Sequence, residues 1–140
     1  MNRQLFAEFL AGGDTLRVYE AGRLIFASDK DRLLPLLEYL AEFGPHHRPV
    51  TIFDRIMGNA AALLAVKAHG HEVYSPLGSQ IAIKTLERYG IIYHLNEIVP
   101  HIQRPDGKDI CPMEKLSIGK GPEEFFAAIS ARVNSRNRES

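Results

Sequence analysis

The chain has very little sulfur chemistry, no tryptophan and no excess charge. Among 140 residues there is one cysteine, Cys111, so an internal disulfide and a CxxC redox or zinc pair are both excluded. Lys plus Arg equals Asp plus Glu at 17 each, so no global field draws the chain to nucleic acid or to an acidic membrane. No apolar run approaches the roughly 18 residues that a membrane span requires. The first residues, Met1-Asn2-Arg3-Gln4, open an amphipathic segment containing Glu8, which differs from a signal peptide. A cytoplasmic location follows as the expectation. What remains is average for a globular protein: 45% apolar and 24% charged residues, enough for one domain that buries roughly two thirds of its unfolded surface.

The pattern of apolar residues sets out the elements. Leu5, Phe6, Phe9 and Leu10 recur at helical spacing before Gly12-Gly13. Leu16 and Val18, then Leu24 and Phe26, alternate with polar neighbours around Gly22. This predicts a hairpin with strands near 15–19 and 23–27. Ser28-Asp29-Lys30-Asp31 offers caps for a leucine-rich helix that begins close to Pro35. A loop covers 44–49. The chain then alternates: a strand at Val50–Phe53, a helix around Ala60–Val66, a strand at Glu72–Tyr74, and a loop at Ser75–Ser79. A helix carrying Ile81, Ile83, Leu86 and Tyr89 follows, then strand-like stretches at 91–94 and 98–99. After a turn at Arg104-Pro105-Asp106-Gly107, short and long helices start near Pro112 and Pro122, the last placing Phe125, Phe126, Ile129 and Val133 on one side. The expected organisation is one α/β domain over 1–133, with a mixed central sheet and helices on both faces, and a polar tail over 134–140.

Ligands of such sheets gather where strands hand over to helices. Two handovers carry unusual residues. In the first, Asp54 follows an apolar strand and is a natural cap for the next helix, which would place Gly58 inside that helix. A helical glycine costs on the order of 1 kcal/mol, so it implies close packing or a ligand near the backbone. In the second, Cys111-Pro112-Met113-Glu114-Lys115 reads as a helix start with a thiol at the cap and Glu114 closing a capping box. A thiol held there can have a pKa of roughly 3.5–7.5 rather than about 8.5. The competing reading is a small buried hydrophobe at Cys111. His69-Gly70-His71-Glu72 and His46-His47 match no metal motif, and Gly119-Lys120-Gly121 lacks Walker spacing, so neither a metal nor a cofactor is expected.

The order of hairpin, leucine-rich helix, strand, Asp54-x-x-x-Gly58-x-Ala60-Ala61-Ala62-Leu63-Leu64 and Cys111-Pro112-Met113-Glu114-Lys115-Leu116 resembles a small bacterial family of unknown function with a cytidine deaminase-like fold. The similarity covers about residues 14–128. It implies a three-layer α/β/α sandwich with a pocket between the two handovers. Members of that family carry lysines where this chain has Arg55 and Asn59. Zinc deaminases place His-x-Glu and Pro-Cys-x-x-Cys at the corresponding helix starts. One cysteine cannot supply that site, so zinc-dependent deamination is argued against. The functional expectation is a deaminase-like domain without zinc motifs that binds a small polar or nucleotide-like molecule. Asp54, Gly58 and Asn59 would form one wall, with Arg104, Cys111, Glu114 and Lys115 on the other, and Cys111, Glu114 and Asp54 as the candidates for chemistry. The alternative is a noncatalytic interaction or scaffold module, favoured if Phe6 and Phe9 leave an exposed patch. A homo-oligomer is compatible with either reading.

Overall fold

The computed structural model describes residues 2–44, 48–104, 107 and 109–139, with the backbone alone for 133–139. Pro45, His46 and His47 of the predicted loop, Pro105 and Asp106 of the predicted turn, and the side chain of Val133 lie outside the described residues. Helix α1 (Asn2–Ala11) leads into the hairpin of β1 (Leu16–Glu20) and β2 (Arg23–Ser28). Its turn holds both Ala21 and Gly22 at positive φ, 50° and 81°. A two-residue turn of that hand matches the twist of the flanking strands.

Helix α2 (Leu34–Phe43) has Pro35 in its first turn, but its cap is Leu33, with no side-chain hydrogen bond. The expected caps at 28–31 act elsewhere. Ser28 ends β2, and its carbonyl and that of Lys30 both accept from the Thr15 hydroxyl. Gly44, at φ 64°, closes α2 by donating its N–H to the Leu40 carbonyl.

The second half is more regular than the sequence pattern suggests. Strand β3 (Val50–Asp54) and the short β4 (Ile56–Met57) precede α3 (Asn59–Lys67). Asp54 therefore ends a strand and does not cap α3, whose cap is Gly58 in extended conformation. Strand β5 (Gly70–Ser79) absorbs the segment 75–79 that reads as a loop, and α4 (Gln80–Arg88) follows with the Ser79 hydroxyl accepting from Ala82 N–H. The two strand-like stretches after α4 join as a single β6 (Ile92–Val99). Helix α5 (Pro112–Ser117) and α6 (Pro122–Glu139) complete the chain, and α6 takes in Asn134–Glu139 of the expected polar tail.

The sheet is mixed. β1 pairs antiparallel with β2 and β3, while β5 pairs parallel with β3, β4 and β6. Neighbouring residues on a strand face opposite sides, and two cores result. Leu16, Val18, Val50, Ile52 and Val73 meet residues of α2, α3, α4 and α6 in the larger core. Tyr19, Phe53 and Tyr74 meet Phe9, Leu5, Phe6 and Leu10 of α1 on the other face. The layers are thus α1, sheet, and the remaining helices. Among the described residues, no helix is long and apolar enough to cross a membrane.

One core group lacks a partner. The Tyr39 side chain is fully buried, and its hydroxyl has no hydrogen bond among the described residues. Burial, helped by the charge of Glu20, pushes its pKa up to about 12. Removing an unpaired buried hydroxyl while keeping the ring relieves its desolvation. Tyr39→Phe is expected to leave stability unchanged or raise it by up to about 1 kcal/mol, read as the denaturation midpoint at constant slope. A clear loss of stability would show that the hydroxyl is satisfied in solution.

Candidate functional site

The two predicted handovers meet through Glu114. Its side chain is 2% exposed, and its two oxygens are divided between distant backbone groups. Oε1 accepts from the N–H of Asn59 at 2.5 Å, and Oε2 from that of Ile102 at 2.7 Å. Asn59 is the first residue of α3, so its N–H is one of the donors that a helix start leaves unpaired, and an anion there also faces the positive end of the helix. Gly58 makes the approach possible. A Cβ at that position would lie 3.1 Å from Glu114 Oε1 and 3.0 Å from Ile102 Cγ1. What comes close to the Gly58 backbone is a carboxylate of the chain itself.

The rest of this cluster is closed on itself. Asn59 Nδ2 donates to the Ser117 hydroxyl at 3.0 Å, and Asn59 Oδ1 accepts from the Thr85 hydroxyl. The Ser117 hydroxyl donates to the Glu114 carbonyl at 2.6 Å. The capping box expected at Cys111 does not form, because Glu114 is turned towards α3. Cys111 N–H instead donates to the Ile102 carbonyl at 2.8 Å. Cys111 does precede α5 at the cap position, yet its side chain makes no capping hydrogen bond, and it is half-buried. Among the described residues, no His, Asp or Glu is hydrogen-bonded to its sulfur.

Asp54 occupies a different kind of place. Strand β5 pairs with β3 as far as Tyr74 and with β4 from Leu77, so Ser75 and Pro76 face the break between the two short strands. Proline has no N–H to offer a ladder. At the break, the buried Asp54 carboxyl accepts from Arg55 N–H at 2.8 Å and also from Ile56 N–H. Burial raises its pKa to about 7, with those two N–H groups opposing the rise. Arg55 turns the other way and caps the C-terminal end of α1. Its guanidinium donates to the carbonyls of Phe9 (2.7 Å), Gly12 (2.8 Å) and Asp14 (2.9 Å) and lies over the Phe9 ring.

Arg104 and Lys115 come together on the outer side of α5. With Arg132, Asp109, Ile110, Pro112 and Leu116 they line a shallow groove of about 250 Å³. None of the three cations has an ion-pair partner among the described residues, and the Asp109 carboxylate accepts from Ile110 N–H. The expected wall is thereby divided. Gly58, Asn59 and Glu114 form a buried junction; Arg104 and Lys115 face solvent; Cys111, between the groove residues Ile110 and Pro112, lies beside the second group. Arg132, Ser117, Thr85 and Ile102 were not signalled by any motif, since each joins its cluster through tertiary contact alone.

A zinc ion does not fit these residues. Both Glu114 oxygens and the Asn59 amide are engaged, which leaves Cys111 as the sole donor at the two helix starts. Among the described residues, no three His, Cys, Asp or Glu side chains are grouped so as to hold a metal.

Two outcomes follow for stability. Glu114→Gln replaces one acceptor by an amide NH₂ facing a buried N–H, and is expected to cost about 1–3 kcal/mol in the denaturation midpoint. An unchanged midpoint would mean that the junction is open to water. For Asp54, the folded pKa lies above the unfolded value. Folding therefore retains a proton that the unfolded chain releases, and the native state loses stability as pH rises from about 4 to about 7, by up to about 4 kcal/mol. Asp54→Asn removes that term. Its melting temperature should gain on the wild type as pH rises from about 5 to about 8, and parallel curves would contradict a proton held at Asp54.

Comparison with known proteins agrees with this architecture. A crystal structure of a DUF1893 family protein from Thermotoga maritima is similar with a TM-score of 0.83 and 28% sequence identity, over 94% of this chain and 88% of that one. None of the curated proteins matches. Residues 6–131 match the family described as a domain of unknown function, DUF1893, a span that contains both handovers, the sheet and the groove residues other than Arg132. The chain belongs to the DUF1893 family.

Proposed function

We propose that this chain is a deaminase-like domain without zinc chemistry that binds a small phosphate-bearing or otherwise anionic molecule in the groove between α5 and α6. The observation that carries the reading is the convergence of Arg104, Lys115 and Arg132, none with an ion-pair partner among the described residues, in one concavity. Among the described residues, three cations and one carboxylate line the groove, which gives it a local positive potential on a chain of zero net charge, and such a potential concentrates anions. At about 250 Å³ the groove is smaller than most ligand pockets, which suits a phosphate head group and leaves the rest of a nucleotide-like molecule in solvent.

The deaminase-like part of the reading is supported by the order β2-β1-β3-β5-β6, in which β1 alone runs against the others, and by the position of the two helix starts at the carboxyl ends of β3 and beyond β6. In this reading Glu114 and Asn59 hold those starts together, and Arg104 and Lys115 supply binding. Cys111 lies beside the groove, and Asp54, with its pKa near neutrality, is the group suited to hold or move a proton. The alternative, an interaction module using an exposed Phe6 and Phe9, has less support. Phe9 is fully buried, and Phe6 packs against Phe53 and Tyr74.

Titration with inorganic phosphate and with nucleoside monophosphates, followed by amide NMR, tests the proposal. Saturable shifts are expected at Arg104, Ile110, Lys115 and Leu116, weakening at high salt because exposed charges are screened. Arg104→Ala and Lys115→Ala should each reduce affinity by roughly tenfold without altering the melting temperature. Binding that both variants leave intact would remove the groove from consideration.

A further inference from the structure

The sheet ends in β2 on one side and in β6 on the other, and the longer of these edges, β6, is unprotected. β6 pairs with β5 on one side, and among the described residues its other side has no strand partner. Natural edge strands are blunted by lysine, proline or a bulge, since an open row of N–H and C=O groups invites pairing with another chain. Within Ile92–Val99 there is no lysine and no proline, the single charge is Glu97, and eight residues is long for an edge. Ile92 and Ile98, near the two ends of the strand, are 56% and 50% exposed. The cover that α1 gives this face of the sheet stops at Phe6, which packs on Tyr74, while Tyr74 in turn stacks on His94 at 4.2 Å. Beyond that stack lies a groove of about 500 Å³, bordered by Arg3 and Phe6 and by the consecutive edge residues Tyr93, His94, Leu95 and Asn96.

We infer that this edge binds a second copy of the chain, with β6 pairing antiparallel to its equivalent about a two-fold axis at Leu95. A two-fold axis perpendicular to a continuous sheet keeps each face on its own side, so the pairing must centre on a residue. Centring on Leu95 sets Ile92 opposite Ile98 of the partner subunit, and the reverse pair follows by symmetry. The two exposed isoleucines cover each other twice. The same register sets His94 against an asparagine and Tyr93 against a glutamate, and keeps the two Glu97 carboxylates apart. It stops short of Pro100, which has no N–H to donate. Centring on His94 or Asn96 leaves one isoleucine opposite a polar residue and the other opposite a loop residue. Zero net charge means that two copies approach without long-range repulsion. This inference is independent of the anion groove, which lies between α5 and α6.

Sedimentation equilibrium of the full chain, from micromolar to near-millimolar concentration, is expected to give twice the 15.7 kDa monomer mass. Ile98→Lys, at an exposed position, should keep the fold by circular dichroism yet weaken the dimer at least tenfold. The register is tested by cross-linking in a Cys111→Ser background. Ile92→Cys combined with Ile98→Cys should form covalent dimers under oxidation. Neither single cysteine should do so, because equivalent residues then lie about 20 Å apart across the axis. A monomer throughout the range, a dimer indifferent to Ile98→Lys, or efficient cross-linking by a single cysteine would each overturn the assignment.

Discussion

Much of this molecule depends on one carboxylate held away from water. Glu114 belongs to a six-residue helix that could not stand alone, and it ties that helix to the first turn of α3 and to the loop after β6. The cost of burying the charge is offset by two N–H donors and by the positive end of α3. Because Asn59 in turn binds Ser117 and Thr85, the same cluster reaches α4. Three connections that are far apart in sequence are fixed at one point, and the outer face of α5 is thereby held steady enough to present Arg104 and Lys115 side by side.

The space beside Gly58 is taken by Glu114, so polar groups that could serve chemistry are satisfied within the chain. Asp54 is the exception: it is buried, its partners among the described residues are the N–H groups of Arg55 and Ile56, and burial raises its pKa to about 7.

What the sequence made legible was local. The periodicities of α1, the hairpin, α2 and α6 follow from residues a few positions apart, and the structure has all four. Segment 75–79 was misread because Pro76 and Gly78 are ordinary turn signals. In the folded chain Pro76 faces the gap between β3 and β4, where no ladder bond is needed, and Gly78 makes room for Leu95. Glu114 was misread for the opposite reason. Its spacing from Cys111 matches a capping box, but its true partner is 55 residues away, and no local rule can find that. Likewise, Arg132 joins Arg104 and Lys115 only because α6 folds back past α5. Residue types pointed to a site; the division between a filled junction and an open groove is a tertiary fact.

Arg55 has a consequence for how the molecule comes apart. One guanidinium gathers carbonyls at the end of α1 and just beyond it, and among the described residues that helix alone covers the aromatic face of the sheet. The covering element is short and is fastened by that side chain and by the packing of Leu5, Phe6, Phe9 and Leu10, whereas the opposite face is held by several helices that also brace one another. Such an arrangement favours partial opening, in which α1 peels away as a unit while the larger core persists. The species so formed would expose Tyr19, Phe53 and Tyr74 together. In a protein without tryptophan, tyrosine emission and the exchange of α1 amides would record that release as an event separate from global unfolding.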